Sequence, residues 1–241
     1  MMARPQGEAL IGTQGHTTPR ASTIAIDGPA ASGKSAVGAL VAARLRYRFL
    51  DTGAMYRAVT WAALRRGVDV HDAASLVTLT DGLRIDVRLG EGDAMEPTGV
   101  LVDGMDVTPH LREQEVEDNV SLVSRVEGVR AALVRIQRAL AAAGRVVMAG
   151  RDVGSVVLPD ADLKVYLDAS REVRARRREE QLRAAGERPD FAALLAELAR
   201  RDGIDSSRQV SPLTAAPGAV IIETDDLTLE EVVGRILERA S

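Results

Sequence analysis

The stretch Gly28-Pro29-Ala30-Ala31-Ser32-Gly33-Lys34-Ser35, inside STIAIDGPAASGKSAVGALVAARL (Ser22–Leu45), gives the first reading. It fits G-x-x-x-x-G-K-[ST], the phosphate-binding loop of nucleotide triphosphatases and kinases. Small residues let consecutive backbone N–H groups turn inward around a β-phosphate, an approach that larger side chains would block. Lys34 can reach the β- and γ-phosphate oxygens as a compact charge, and the Ser35 hydroxyl can ligate Mg2+. The helix that follows points its N-terminal dipole at the same anion.

The flanks supply the context that this motif requires. Ser22–Asp27 is a short, β-branched apolar run and predicts a buried strand. Val37, Leu40, Val41 and Leu45 recur at three- and four-residue intervals, the stripe of a helix. Strand, glycine-rich loop and helix together predict ATP or GTP binding.

The chain has 241 residues, room for one α/β domain with insertions or two small ones. It has no long uncharged apolar run, so no membrane span is predicted. With no cysteine there is no disulfide, thiolate catalysis or cysteine-ligated zinc. His16, His71 and His110 are scattered and lack metal-ligand spacing. The net charge of −4 argues against general nucleic-acid binding, while leaving room for a local basic cleft. With two Phe and one Trp the core must be aliphatic. Residues 1–21, rich in Gly, Thr, Gln and Pro and lacking an apolar h-region, read as a flexible tail.

Taken in order, Tyr47–Leu50 predicts a second strand ending at Asp51-Thr52-Gly53, and a helix runs from about Ala54 to Gly67. Leu83–Leu89 and Val100–Val102 predict a small antiparallel sheet within an insertion over 68–111. Arg112–Ala143 is helical with a break near Glu127-Gly128. Arg145–Ala149, Leu163–Leu167 and Ala219–Glu223 complete five strands. Basic and apolar helices cover 171–188 and 191–200, and Thr228-x-x-Glu231 opens the last helix with a capping box. The alternation predicts an α/β fold: a doubly wound, five-stranded parallel sheet. Residues 22–241 would then form one domain, with core segments 22–67, 112–170 and 201–241, the insertion at 68–111 and an arginine-rich helical lid at 171–200.

Ligands of such sheets bind beyond the C-terminal strand ends. Those ends carry Asp27 and the loop, then Asp51-Thr52-Gly53 with Tyr56 and Arg57, then Gly150-Arg151-Asp152. Arginine forks suit a phosphate, and a carboxylate or hydroxyl suits an amine-bearing base or a sugar. Asp51 reads equally as a helix cap, and Arg57 as a solvated charge. The arginines of the 171–188 helix read either as an exposed, salt-bridged face or as a lid closing over a triphosphate.

The motifs IAIDGPAASGKS, FLDTGAMYRA, VLVDGMDVTPHLR, GRDVGSVVLPDADLKVYLDAS and RRDGIDSSRQVSPL, in this order over residues 22–241, resemble the bacterial cytidylate kinases. The resemblance implies transfer of the ATP γ-phosphoryl group to CMP or dCMP with Mg2+, by a cytoplasmic monomer of pyrimidine metabolism. Gly28, Pro29, Ala30, Ala31, Ser32, Gly33, Lys34, Ser35 and Ala36 would hold ATP. Ser121, Arg130 and Asp152 would read the cytosine edge. Arg57, Arg151 and Arg208 would hold the acceptor phosphate, with Thr52 and Tyr56 nearby, and Arg201 and Asp205 would lie at the phosphates and ribose. Lys34, Arg151, Arg201, Arg208 and the lid's Arg174 and Arg177 would stabilise the migrating group. Ala149 departs from the acidic residue that the family often places before G-R-D, and RDGIDSSR is less basic than many counterparts.

Other readings remain. Another small phosphate-loop kinase would share the loop. A switch GTPase would need D-x-x-G and N-K-x-D segments, which are absent; Asn119 is the only asparagine. A nucleic-acid binder would use the arginine-rich helix, against the interleaved glutamates. An inactive nucleotide-binding relative is the reading that Ala149 keeps open, although Arg201, Asp205 and Arg208 are kept and activity is expected to survive.

Overall fold

The computed structural model describes residues 21–90, 98–207 and 213–241. In chain order the elements are β1 (Thr23–Asp27), α1 (Lys34–Leu45), β2 (Arg48–Asp51), α2 (Thr52–Arg65) and α3 (Ala73–Gly82). The short strands β3 (Ile85–Arg88), β4 (Gly99–Val102) and β5 (Met105–Asp106) follow, then α4 (Gln114–Val123), α5 (Glu127–Ala141) and β6 (Val146–Gly150). A wide helical turn over Val153–Val157 leads to β7 (Leu163–Asp168), α6 (Arg171–Ala184), α7 (Phe191–Ser206), β8 (Val220–Glu223) and α8 (Leu229–Ala240).

The central sheet has five parallel strands in the order β2-β6-β1-β7-β8. Its strands are continuous apolar runs because helices cover both faces. Ile24, Ile26, Val147, Val165 and Leu167 pack against α1 and α8 through Val37, Val41, Val232, Val233 and Ile236. On the other face Ala25, Leu50, Val146 and Met148 meet Met55 and Val59 of α2 and Val129 and Leu133 of α5.

Register places the site. Asp27 pairs with Gly150, and Asp51 with Ala149. The phosphate loop, the start of α2 and the Gly150-Arg151-Asp152 turn therefore leave the sheet level with one another.

Among the described residues the insertion holds three antiparallel strands, where the alternation predicted two. Asp103-Gly104, both with positive φ (51° and 84°), turns β4 into β5. The insertion packs on α2 through Val100, Val102, Val107 and Leu111 against Ala54, Ala58 and Ala62. Helix α3, capped by Asp72, is an addition to the expected pattern.

Two boundaries differ from expectation. The break between α4 and α5 lies at Ser124–Val126, and Gly128 sits within the first turn of α5. A Cβ at Gly128 would stand 2.5 Å from Cγ2 of Val77, so the glycine allows α5 to dock on α3. Helix α7 also runs past Arg200 to Ser206, which carries Arg201 and Asp205 on the same rod as the 191–200 segment.

Candidate active site

The phosphate loop is shaped by its glycines. A Cβ on Gly28 would stand 2.3 Å from the carbonyl oxygen of Leu167, and Gly33 caps α1 in the left-handed region at φ 88°. No side chain caps α1, so its first-turn N–H groups face the loop and are available to an anion. Lys34 folds over the loop and its Nζ donates to the carbonyl of Pro29 at 2.7 Å. Burial pushes its ammonium well below the usual lysine range, and the neighbouring charge of Arg151 adds to this.

Below the loop, buried Asp27 accepts from the backbone N–H groups of Val153 (2.7 Å) and Gly154 (2.8 Å). Burial raises its pKa to about 6 despite those donors. Asp27 thereby fixes the Gly150-Arg151-Asp152 turn to the base of the phosphate loop. Arg151 crosses the same gap, with Nη1 donating to the carbonyl of Gly28 at 3.2 Å and Nε to Oδ2 of Asp205 at 2.8 Å.

Asp51 serves two purposes. Its Oδ1 accepts from Gly53 N at 2.9 Å, capping α2, while Oδ2 accepts from the Ser35 hydroxyl at 2.9 Å. Burial works against ionisation here, but Arg57 and Arg112 outweigh it and hold the carboxyl below the usual range. Thr52 is buried and donates through Oγ1 to the carbonyl of Ala149 at 2.9 Å.

Helices α2, α4, α5 and α7 close a cavity of about 210 Å3 around these groups. On α4 and α5, Ser121 and Arg130 line it, and Arg130 pairs with Asp152. Both partners are buried, and the Arg130 guanidinium lies 5.4 Å from the ring centre of Tyr56. One turn before Ser121 on α4, Glu117 gathers three arginines. Arg57 Nε and Arg112 Nη1 donate to its Oε1 at 2.8 and 3.0 Å, and Arg201 Nη1 donates to Oε2 at 3.0 Å. Burial alone would raise the Glu117 carboxyl, yet the guanidiniums of Arg57, Arg201 and Arg112 hold it far below the usual range. The cavity thus offers a paired donor and acceptor at Arg130 and Asp152 and a cluster of guanidiniums at Glu117, with the phosphate loop in the same lining.

The family model described as "Cytidylate kinase" matches residues 24–241. A cytidylate kinase of Geobacillus kaustophilus is 50% identical over 221 residues, covering 91% of this chain and 96% of that protein. One of Rhodococcus opacus is 48% identical over 217 residues, covering 89% and 92%. The chain belongs to the cytidylate kinase family.

The geometry divides the residues for which this family resemblance gives expectations. The cavity lining includes Lys34, Ser35, Ala36, Thr52, Tyr56, Arg57, Ser121, Arg130, Arg151, Asp152, Arg201 and Asp205. Arg208 lies outside the described residues. Arg174 is buried behind the loop, where Nη1 donates to the Ala30 carbonyl at 3.0 Å and Nη2 to Oδ2 of Asp202 at 2.6 Å. It ties α6, α7 and the loop together. The structure does not bring Arg177 into the cavity. Its guanidinium donates to Oγ1 and the carbonyl of Thr224 at 3.0 and 2.6 Å, because its helical position faces β8. Arg178, the next residue, lines the cavity instead.

Sequence reasoning passed over Glu117 and Arg112. A signal for the first was present: Glu117 and Ser121 are four residues apart on α4, so a cavity-facing Ser121 places Glu117 on the same side one turn earlier.

Proposed function

We propose that the chain transfers the γ-phosphoryl group of ATP to CMP or dCMP, giving ADP and CDP or dCDP. The observation that carries this reading is the buried Arg130–Asp152 pair in one cavity with the guanidinium cluster and the phosphate loop. Cytosine presents a donor amine beside an acceptor nitrogen and carbonyl. Asp152 accepts from the amine and Arg130 donates to the acceptors, while Ser121 adds a hydroxyl. Uracil would set a carbonyl against Asp152.

Arg57, Arg151 and Arg201 hold the acceptor phosphate, with Arg208 in support, and Thr52 and Tyr56 shape its seat. Asp205 contacts the ribose. The acceptor is already an anionic nucleophile, so no general base is required and catalysis rests on alignment and charge stabilisation. Lys34, on its own loop, follows the β- and γ-phosphates, and Arg178 neutralises charge from the lid side while Arg174 holds the loop to α7.

A metal ion accompanies the nucleotide in this reading, and the residues present fit Mg2+. The Ser35 hydroxyl and the ionised Asp51 carboxylate are adjacent hard oxygen donors at the phosphate loop. They would hold the ion with phosphate oxygens and water, and the ion would neutralise phosphate charge.

Segment 68–111 serves as the monophosphate-binding subdomain and 171–200 as the lid. The cavity is smaller than the roughly 300–1,000 Å3 of common small-molecule sites, which supports lid movement when two nucleotides enter. Among the described residues no helix is long and apolar enough to cross a membrane. We place the protein in the cytoplasm as a monomer that acts on nucleotides and not on nucleic acids.

A coupled ADP-release assay with ATP and Mg2+ against CMP, dCMP, UMP, AMP and GMP tests the reading. Turnover with CMP and dCMP that disappears in Lys34→Ala is expected. ATP binding without turnover on any monophosphate would leave a nucleotide-binding relative.

A further inference from the structure

Glu117 is a buried acid within hydrogen-bonding distance of three guanidiniums that reach it from three separate parts of the chain. Arg57 comes from α2, Arg112 from the segment before α4, and Arg201 from α7. On α4 itself Val116 and Val123 are buried, while Glu117, Val120 and Ser121 line the cavity. Arg57 donates to both carboxylate oxygens, while Arg112 adds to Oε1 and Arg201 to Oε2, as a small oxyanion would be held. The acid also joins α4 to α7, the helix that packs against the lid helix α6.

We propose that Glu117 is a built-in competitor of the acceptor phosphate, holding the arginine seat assembled and giving it up only to a phosphate that arrives with its nucleoside. This rests on the reading of that seat as the acceptor-phosphate site. A phosphate oxyanion on the same guanidiniums meets the Glu117 carboxylate at close range, and the repulsion opposes binding. Free inorganic phosphate has only the arginine contacts to set against that repulsion. A nucleotide adds the contacts of its base at Arg130 and Asp152. The acid therefore selects against bare anions, and it keeps the largely buried Arg57 and Arg201 and the exposed Arg112 paired before substrate arrives.

The test is calorimetric titration of the whole protein with inorganic phosphate, for the native chain, Glu117→Gln and Glu117→Asp. Removing one charge from the seat should tighten phosphate binding in Glu117→Gln by about tenfold or more. The bound phosphate should compete with CMP. KM for CMP should fall, kcat should not rise, and binding of cytidine, which has no phosphate, should stay unchanged. A purely structural strut would instead weaken phosphate and CMP together. Phosphate bound no more tightly by Glu117→Gln than by the native chain would overturn the proposal.

If the glutamine variant does not fold, Glu117→Asp carries the test. Its shorter carboxylate reaches fewer guanidiniums, so phosphate binding should tighten by a smaller factor, and unchanged or weaker binding again overturns the proposal. The phosphate titration contains no nucleotide, so its result is separable from the choice of CMP as acceptor. Failure of CMP turnover would strike that choice and leave the anion seat standing.

Discussion

The guanidinium of Arg130 and the carboxylate of Asp152 pair inside the cavity with both side chains nearly inaccessible to solvent. Arg130 is not satisfied by its partner alone. Arg130 also donates to the Ser124 carbonyl at 3.1 Å, and its buried Nε has no hydrogen-bond partner. A buried donor beside a buried acceptor is the arrangement that discriminates strongly between ligands, because a mismatched edge sets acceptor against acceptor or donor against donor away from water. In Asp152→Asn the acceptor gains a donor face, so kcat/KM for CMP should fall at least about tenfold and the UMP-to-CMP ratio should rise. Steady-state kinetics with both substrates checks this. An unchanged ratio would take base recognition away from Asp152.

Two glycines should respond in opposite directions. Gly28 has φ 154°, and an added Cβ would stand 2.3 Å from the Leu167 carbonyl. Gly28→Ala should destabilise the fold by about 1–3 kcal/mol and weaken ATP binding, since the loop must shift away from β7. Gly203 lies inside α7 with no atom within 4 Å of the added Cβ. Gly203→Ala should stabilise the protein by about 0.5–1 kcal/mol through the loss of backbone freedom in the unfolded chain. Thermal unfolding of the two variants gives both signs at once.

The sheet and the phosphate loop were legible because their signals are local. Strands buried on both faces are written as short apolar runs, and the loop needs its glycines and Lys34 at fixed spacing. Elements without such signals were harder to read. Helix α3 buries only Leu76 and Thr80, too little for a stripe, and β5 has two residues. Asp202-Gly203 reads as a helix end, yet Asp202 is bound by Arg174 and the helix continues. The acid at Glu117 lies among Glu115 and Asp118, both exposed, so in sequence it looks like part of a solvated face. Its three arginine partners come from positions 57, 112 and 201, and only the fold brings them together. For the same reason Arg177 and Arg178 could not be told apart by composition; the helical phase decides which of them meets the cavity.

Ser35 and Asp51 lie on consecutive elements, α1 and the end of β2, and meet at 2.9 Å. Asp51→Asn keeps an oxygen for the Gly53 N–H cap and removes the charge. The Mg2+ concentration that gives half-maximal turnover should therefore rise by about tenfold or more, with α2 intact by circular dichroism. Ser35→Ala should shift it in the same direction. Direct titration with Mn2+ in the presence of ATP measures the same affinity without turnover. Identical metal dependence in all three proteins would move the ion away from this pair.

Asp27 gives the fold a pH dependence of unusual sign. Burial raises its pKa from 3.8 to about 6, more than the N–H groups of Gly154 and Val153 lower it. The native state then holds this proton more tightly than the unfolded chain does. The stabilisation is complete below the unfolded value and is lost as pH rises through about 6. The shift of two units corresponds to about 3 kcal/mol. Paired carboxylates such as Glu117, held far down by arginines, act oppositely and lose their contribution on acidification. The Asp27 contribution must therefore be read as a difference. In Asp27→Asn the group no longer titrates, while the other carboxylates remain. The stability of the native chain minus that of the variant should shrink by about 2–2.5 kcal/mol between pH 4 and 7, whatever its absolute sign. Urea unfolding of both proteins at intervals across this range supplies the difference. A gap that stays constant would mean that Asp27 is ionised throughout, with its two backbone donors outweighing the cost of burial.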